Sequence, residues 1–167
     1  MRQVSESFPL PCSTSTFWRI FTDPAYTRAL YLDCLKFKGY EVLQGMTTTR
    51  KLRIVPKINL PAPLARIVGE AFAYEEHGTL DRAEGEWRWK MVQPASATLP
   101  ELIATQGTMR IKEVAKDECL RLDEISFEGK LFGLGRIIES TAEREARSAW
   151  ALEVPFFLRW LEARGNP

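Results

Sequence analysis

The stretch GRIIESTAEREARSAWALEVPFFLRWLEA, residues 135–163, decides how the rest of the chain must be arranged. Leu134, Ile138, Ala142, Glu145, Ala149, Leu152, Phe156 and Trp160 recur through it at helical spacing. A continuous helix of this length reaches roughly 43 Å at about 1.5 Å per residue. Pro155 removes one backbone donor, and the spacing predicts a kink there. Glu145 interrupts the stripe, where a charge is costly unless paired. A rod this long needs a broad apolar partner.

The residues before it supply one. "ECLRLDEISFEGK" (118–130) and "LIATQGTMRIKEV" (102–114) alternate as strands and read as a hairpin turning at Lys116–Asp117. The alternation slips between Leu122 and Ile125, which predicts a bulge near Asp123–Glu124. "AFAYEEHGTLDR" (71–82) and "GEWRWKMVQP" (85–94) form a second hairpin turning at Ala83–Gly85, with Trp87, Trp89 and Met91 on one face. "YEVLQGM" (40–46) and "TTTRKLRIV" (47–55) join near Gly45. Residues 2–10 make a half-buried strand. Two short helices follow, one capped by Ser13 or Thr14, one opened by Asp23-Pro24 and ended by Gly39. The order is β-α-α-β6-α. In a chain of 167 residues, seven strands cannot bury both faces. The expected α+β architecture is a curved antiparallel sheet wrapped around the terminal helix, as one domain spanning 1–167.

Composition narrows the function. The net charge is +1, so there is no global basic field for nucleic acid. Three scattered cysteines and one histidine give a poor metal donor set, and no cofactor is expected. The thiol pattern, with no secretory signal and no apolar run of about 20 residues, predicts a cytoplasmic protein. Oligomeric state leaves no mark.

The order of elements, the segment "PLPCSTSTFWRIFTDPAY" and the amphipathic terminal helix resemble the START-like (SRPBCC) superfamily. This is the helix-grip fold of birch-pollen-allergen-like proteins and polyketide cyclases. "FEGKLFGLGRIIESTAEREARSAWALE" looks like an uncharacterised bacterial branch. The resemblance covers nearly the whole chain. It implies a cavity between sheet and helix for a hydrophobic small molecule such as a lipid, sterol or polyketide. The superfamily has no universal catalytic residue, so none transfers. On this reading the candidate ligand-binding residues are Leu52, Ile54, Phe72, Tyr74, Trp87, Trp89, Met91, Met109, Ile138, Glu145 and Leu152.

The segment 55–71 is longer than a hairpin requires, which marks it as a lid or contact loop. "RKLRIVPKINLPAPLAR" (50–66) carries five basic residues, no acidic one and three prolines. Pro63 can start a short helix ended by Gly69. One expectation is a cover over the open end of the core. The other is a gate touching anionic membrane, in which Arg50, Lys51, Arg53, Lys57 and Arg66 each contribute ~1 kcal/mol and Leu60 and Leu64 dip into the headgroups. Two rival functions stay open. One is a cyclase- or hydratase-like enzyme using Glu145, His77 or Tyr74 as acid or base. The other is a protein-interaction module with a filled core.

Overall fold

A computed structural model describes residues 1–68, 72–97 and 101–164. Gly69 and Ala71, where the short helix was expected to end and a strand to begin, lie outside them. Among the described residues the strands are β1 (Arg2–Leu10), β2 (Gly39–Gln44), β3 (Thr49–Val55), β4 (Tyr74–Asp81), β5 (Glu86–Val92), β6 (Ile103–Ala115) and β7 (Glu118–Gly129). They form one antiparallel sheet in the order β1-β7-β6-β5-β4-β3-β2. The helices are α1 (Thr14–Phe21), α2 (Pro24–Ala29), α3 (Ala62–Val68) and α4 (Gly135–Arg164).

Local chemistry accounts for the ends. Ser13 accepts a hydrogen bond from the Thr16 amide, and Asp23 accepts one from Ala25 with Pro24 beginning the helix. Beyond α2 the backbone widens into a π-helical turn, Leu30–Cys34, in which the Leu35 amide donates to the Leu30 carbonyl at 2.9 Å. Such turns recur at functional sites. Lys36, at φ 56°, breaks the chain away from it. Gly39 already belongs to β2, so the break falls earlier than expected.

α4 runs through Pro155, which is exposed. Its buried residues are Ile138, Thr141, Trp150, Phe157 and Leu161, so most of the predicted stripe lies on a neighbouring flank. At one end the core is solid: Phe17, Tyr26, Phe157 and Leu161 pack with Leu80, Trp87 and Ile111. A smaller cluster joins Val4, Ile125, Phe127 and Trp150.

The predicted bulge at Asp123–Glu124 is absent. β7 keeps unbroken register with β1 and β6 through residues 121–125, and the β6–β7 irregularity lies at Glu113–Ala115. Cys119, Arg121, Asp123, Ile125 and Phe127 are all buried, while Leu120 and Leu122 take the other face. What reads as a slip is a pair of charges turned inward.

Two indoles lie flat on the sheet. A Cβ at Gly78 would come within 1.8 Å of the Trp87 ring, and one at Gly107 within 2.8 Å of the Trp89 ring. The two rings therefore lean in opposite directions, one over β4 and one over β6. Gly78→Ala is expected to cost about 2 kcal/mol and to lower Tm by about 4–8 °C, measured by calorimetry. Gly45→Ala, where nothing lies within 4 Å of the added carbon, is the control that leaves Tm unchanged.

Candidate functional site

Flat rings on the sheet and alanines on the helix leave a hollow of about 370 Å³ between them. Ala142, Ala146 and Ala149 of α4 face the hollow from above. Trp87, Trp89, Met91 and Met109 form its floor. Leu60, Leu64 and Val68 close one side, together with Phe72 and Tyr74. Lys57, Ser148 and Leu152 also line it and are exposed, so the hollow meets solvent between α4 and the loop before α3. Arg144 spans this mouth by donating to the Asn59 carbonyl at 2.9 Å.

The walls are not wholly apolar. Arg50, on β3, is only 6% exposed. Its guanidinium lies against the rings of Phe21 and Trp87, 5.0 and 4.9 Å from their centroids, where the two rings meet edge to face. It pairs with Glu76 at 2.7 Å. The Tyr31 hydroxyl, carried on the π-helical turn, donates to the other Glu76 oxygen at 2.8 Å. Burial, with Glu76 beside it, pushes the Tyr31 phenol well above its ordinary range. The inward charges of β7 form a second cluster. Arg121 binds Asp123 and Glu153 of α4, each at 2.7 Å. Burial raises the Asp123 carboxyl above its usual range, and Arg121 only partly offsets that.

Of the residues singled out from the sequence, Phe72, Tyr74, Trp87, Trp89, Met91, Met109, Ile138, Glu145 and Leu152 lie in the cavity wall. Leu52 and Ile54 are 1% and 0% exposed but lie outside that wall. Tyr40, which pairs with Ile54 across the strands, stacks on Tyr31 at 5.6 Å and caps this corner. Glu145 sits near the mouth, 3.3 Å from Arg144.

The basic segment does not form one patch. Arg50 is inside the protein. Lys51 and Arg53 alternate with it and lie on the opposite face of β3. Arg53 there is held by Glu41 and Glu75, each at 3.2 Å. Leu60 and Leu64 line the cavity instead of facing outward, and Leu64 is 3% exposed. Lys57 and Arg66 alone keep exposed positions. Strand alternation is the reason: consecutive charges on β3 cannot share a face.

His77 also lies outside the cavity wall. Its Nε2 is 2.9 Å from Glu75 Oε2 on the outer face of the sheet. The bonds from His77 and Arg53 hold the Glu75 carboxyl below its ordinary range. Burial, with Glu76 nearby, raises the Tyr74 phenol above its ordinary range.

The sequence reading missed Tyr31, Glu76, Arg121, Asp123 and Glu153. Only Arg121 and Asp123 left a signal, the broken alternation of β7.

This architecture is the START-like, or SRPBCC, helix-grip fold. The Zhui aromatase/cyclase from Streptomyces sp. R1128 superposes with a TM-score of 0.71 at 13% identity, covering 98% of this chain and 94% of that one. Norcoclaurine synthase from Thalictrum flavum gives 0.62 at 17%, covering 93% and 86%. A START superfamily protein from Mycobacterium smegmatis gives 0.59 at 18%, covering 95% and 98%. At these identities the likeness is one of fold. No curated protein matches the chain. Residues 5–161 match the family described as a protein of unknown function, DUF2505, and the chain belongs to that family.

Breaking one buried pair tests whether these charges hold the wall. Arg50→Met strands Glu76 and is expected to cost about 3–5 kcal/mol in urea unfolding. Adding Glu76→Gln, which keeps an acceptor for Tyr31, should restore most of that loss.

Proposed function

We propose that this protein binds one apolar small molecule in the hollow between the sheet and α4, with the loop 56–61 and α3 as its gate. The cavity of about 370 Å³, walled by aromatic rings and alanines, is the observation that carries the reading. It falls in the size range of small-molecule sites, roughly 300–1,000 Å³. Binding comes mainly from taking ligand hydrocarbon out of water, at about 25 cal/mol per Å². A guest of about 20 heavy atoms at about 0.3 kcal/mol per atom gains about 6 kcal/mol, a Kd in the tens of micromolar.

A second reading, an enzyme of the cyclase or hydratase kind, rests on Tyr31 and Glu76. They are an acid and a base hydrogen-bonded at the cavity wall. Two of the fold relatives are named as enzymes. His77, on the outer face, takes no part in that reading.

Native mass spectrometry of the purified protein tests carriage: a co-purifying apolar guest is expected, recovered chemically unaltered. A guest recovered with a changed mass would favour the enzyme. Ala149→Phe, which fills the hollow, should reduce guest binding more than tenfold and leave the circular dichroism spectrum as it was. Arg144→Ala, which removes the strut across the mouth, should speed both uptake and release in stopped-flow fluorescence while changing Kd little.

A further inference from the structure

The deep part of the cavity has a charge imbalance. Two guanidiniums, Arg50 and Arg121, face three carboxylates, Glu76, Asp123 and Glu153. All five line the hollow, and their side chains range from 5% to 14% exposed. Both arginines are already committed. Arg50 holds Glu76, and Arg121 holds Asp123 and Glu153 together. The other charged residues of the wall, Lys57 and Glu145, are opposite in sign and lie towards the mouth. Among the described residues no buried cation remains to receive an anionic head group.

Among the described residues, two that line the cavity carry a buried polar atom without a hydrogen-bond partner. The Nε–H of Arg50 and the hydroxyl of Thr105 are both shut off from solvent without a hydrogen bond. Arg50 and Thr105 are 6% and 5% exposed, and both line the cavity. Native proteins rarely leave such groups unsatisfied, and an orphan of this kind costs about 1–3 kcal/mol. The Arg50 Nε–H is covered on every side, so a guest in the hollow does not reach it. Thr105 can give or take a hydrogen bond.

On the reading that the cavity holds a small molecule, we infer that the cavity discriminates by charge: it takes an uncharged, oxygen-bearing apolar molecule and rejects carboxylates. A hydroxyl or carbonyl oxygen on the guest brings no charge to this wall, and a turn of the Thr105 side chain about its Cα–Cβ bond lets its hydroxyl meet that oxygen. A carboxylate would enter a wall that already carries excess negative charge, and would lose its hydration with no free cation to replace it. Fatty acids are therefore excluded from the guest class, whereas neutral alcohols, phenols and ketones remain in it.

Isothermal titration calorimetry at pH 7.5 with 2-naphthol and 2-naphthoate, matched in ring frame but one neutral and one anionic, tests this. The naphthol is expected to bind at least tenfold more tightly. Glu153→Gln, which removes one of the three carboxylates, should narrow that gap at least threefold. Thr105→Val should weaken naphthol binding severalfold while raising Tm, since it deletes an orphan; a purely structural threonine would lower Tm and leave the affinity alone. Equal or tighter binding of the naphthoate overturns the charge selection and leaves the cavity reading standing. Binding of neither probe overturns the cavity reading, and this inference with it.

Discussion

The contact of the Trp87 indole with the backbone of Gly78 sets the depth of the molecule. A side chain at position 78 would lift the ring off the sheet. Because the ring lies flat, one side of it meets Phe21 at 5.4 Å and the solid end of the core. The same ring carries the guanidinium of Arg50 and borders the hollow. Packed core and cavity thus share one side chain. The alanines of α4 complete the effect from above, since they have too little volume to fill what the flat rings leave open. Protein interiors otherwise close to crystal-like density.

Buried charge is what keeps the hollow from being mere slack. Arg50, lying against two rings and paired with Glu76, which also accepts from Tyr31, links β3, β4 and the π-helical turn. Arg121 joins β7 to α4 through Glu153. Each cluster ties the sheet to a helical element, Glu76 to the π-helical turn through Tyr31 and Arg121 to α4 through Glu153. Such pairs add little net stability against a hydrophobic alternative. They do fix which groups face the cavity.

Much of the site was legible, and its omissions share one cause. The face bearing Trp87, Trp89 and Met91 followed from strict alternation, and the curved sheet from the order of elements. Arg121 and Asp123 were misread because a search for apolar periodicity treats inward charges as a defect in register. Glu76 and Tyr31 left no pattern at all: each is one polar residue in an ordinary run, and their meeting depends on a turn that inserts one extra residue. The basic segment failed as a patch for a simpler reason. Counting charges along the chain ignores that Arg50 and Lys51 point to opposite faces of one strand.

The sequence by itself determined the seven strands, the terminal helix and their grip, because hydrophobic period and turn chemistry are local properties. Only the tertiary structure decided that the middle of the molecule is hollow and that its walls hold more carboxylates than arginines. Both depend on side-chain directions across strands distant in sequence. A ring can lie flat only where another strand offers a glycine, and a charge can be buried only where another element brings its partner.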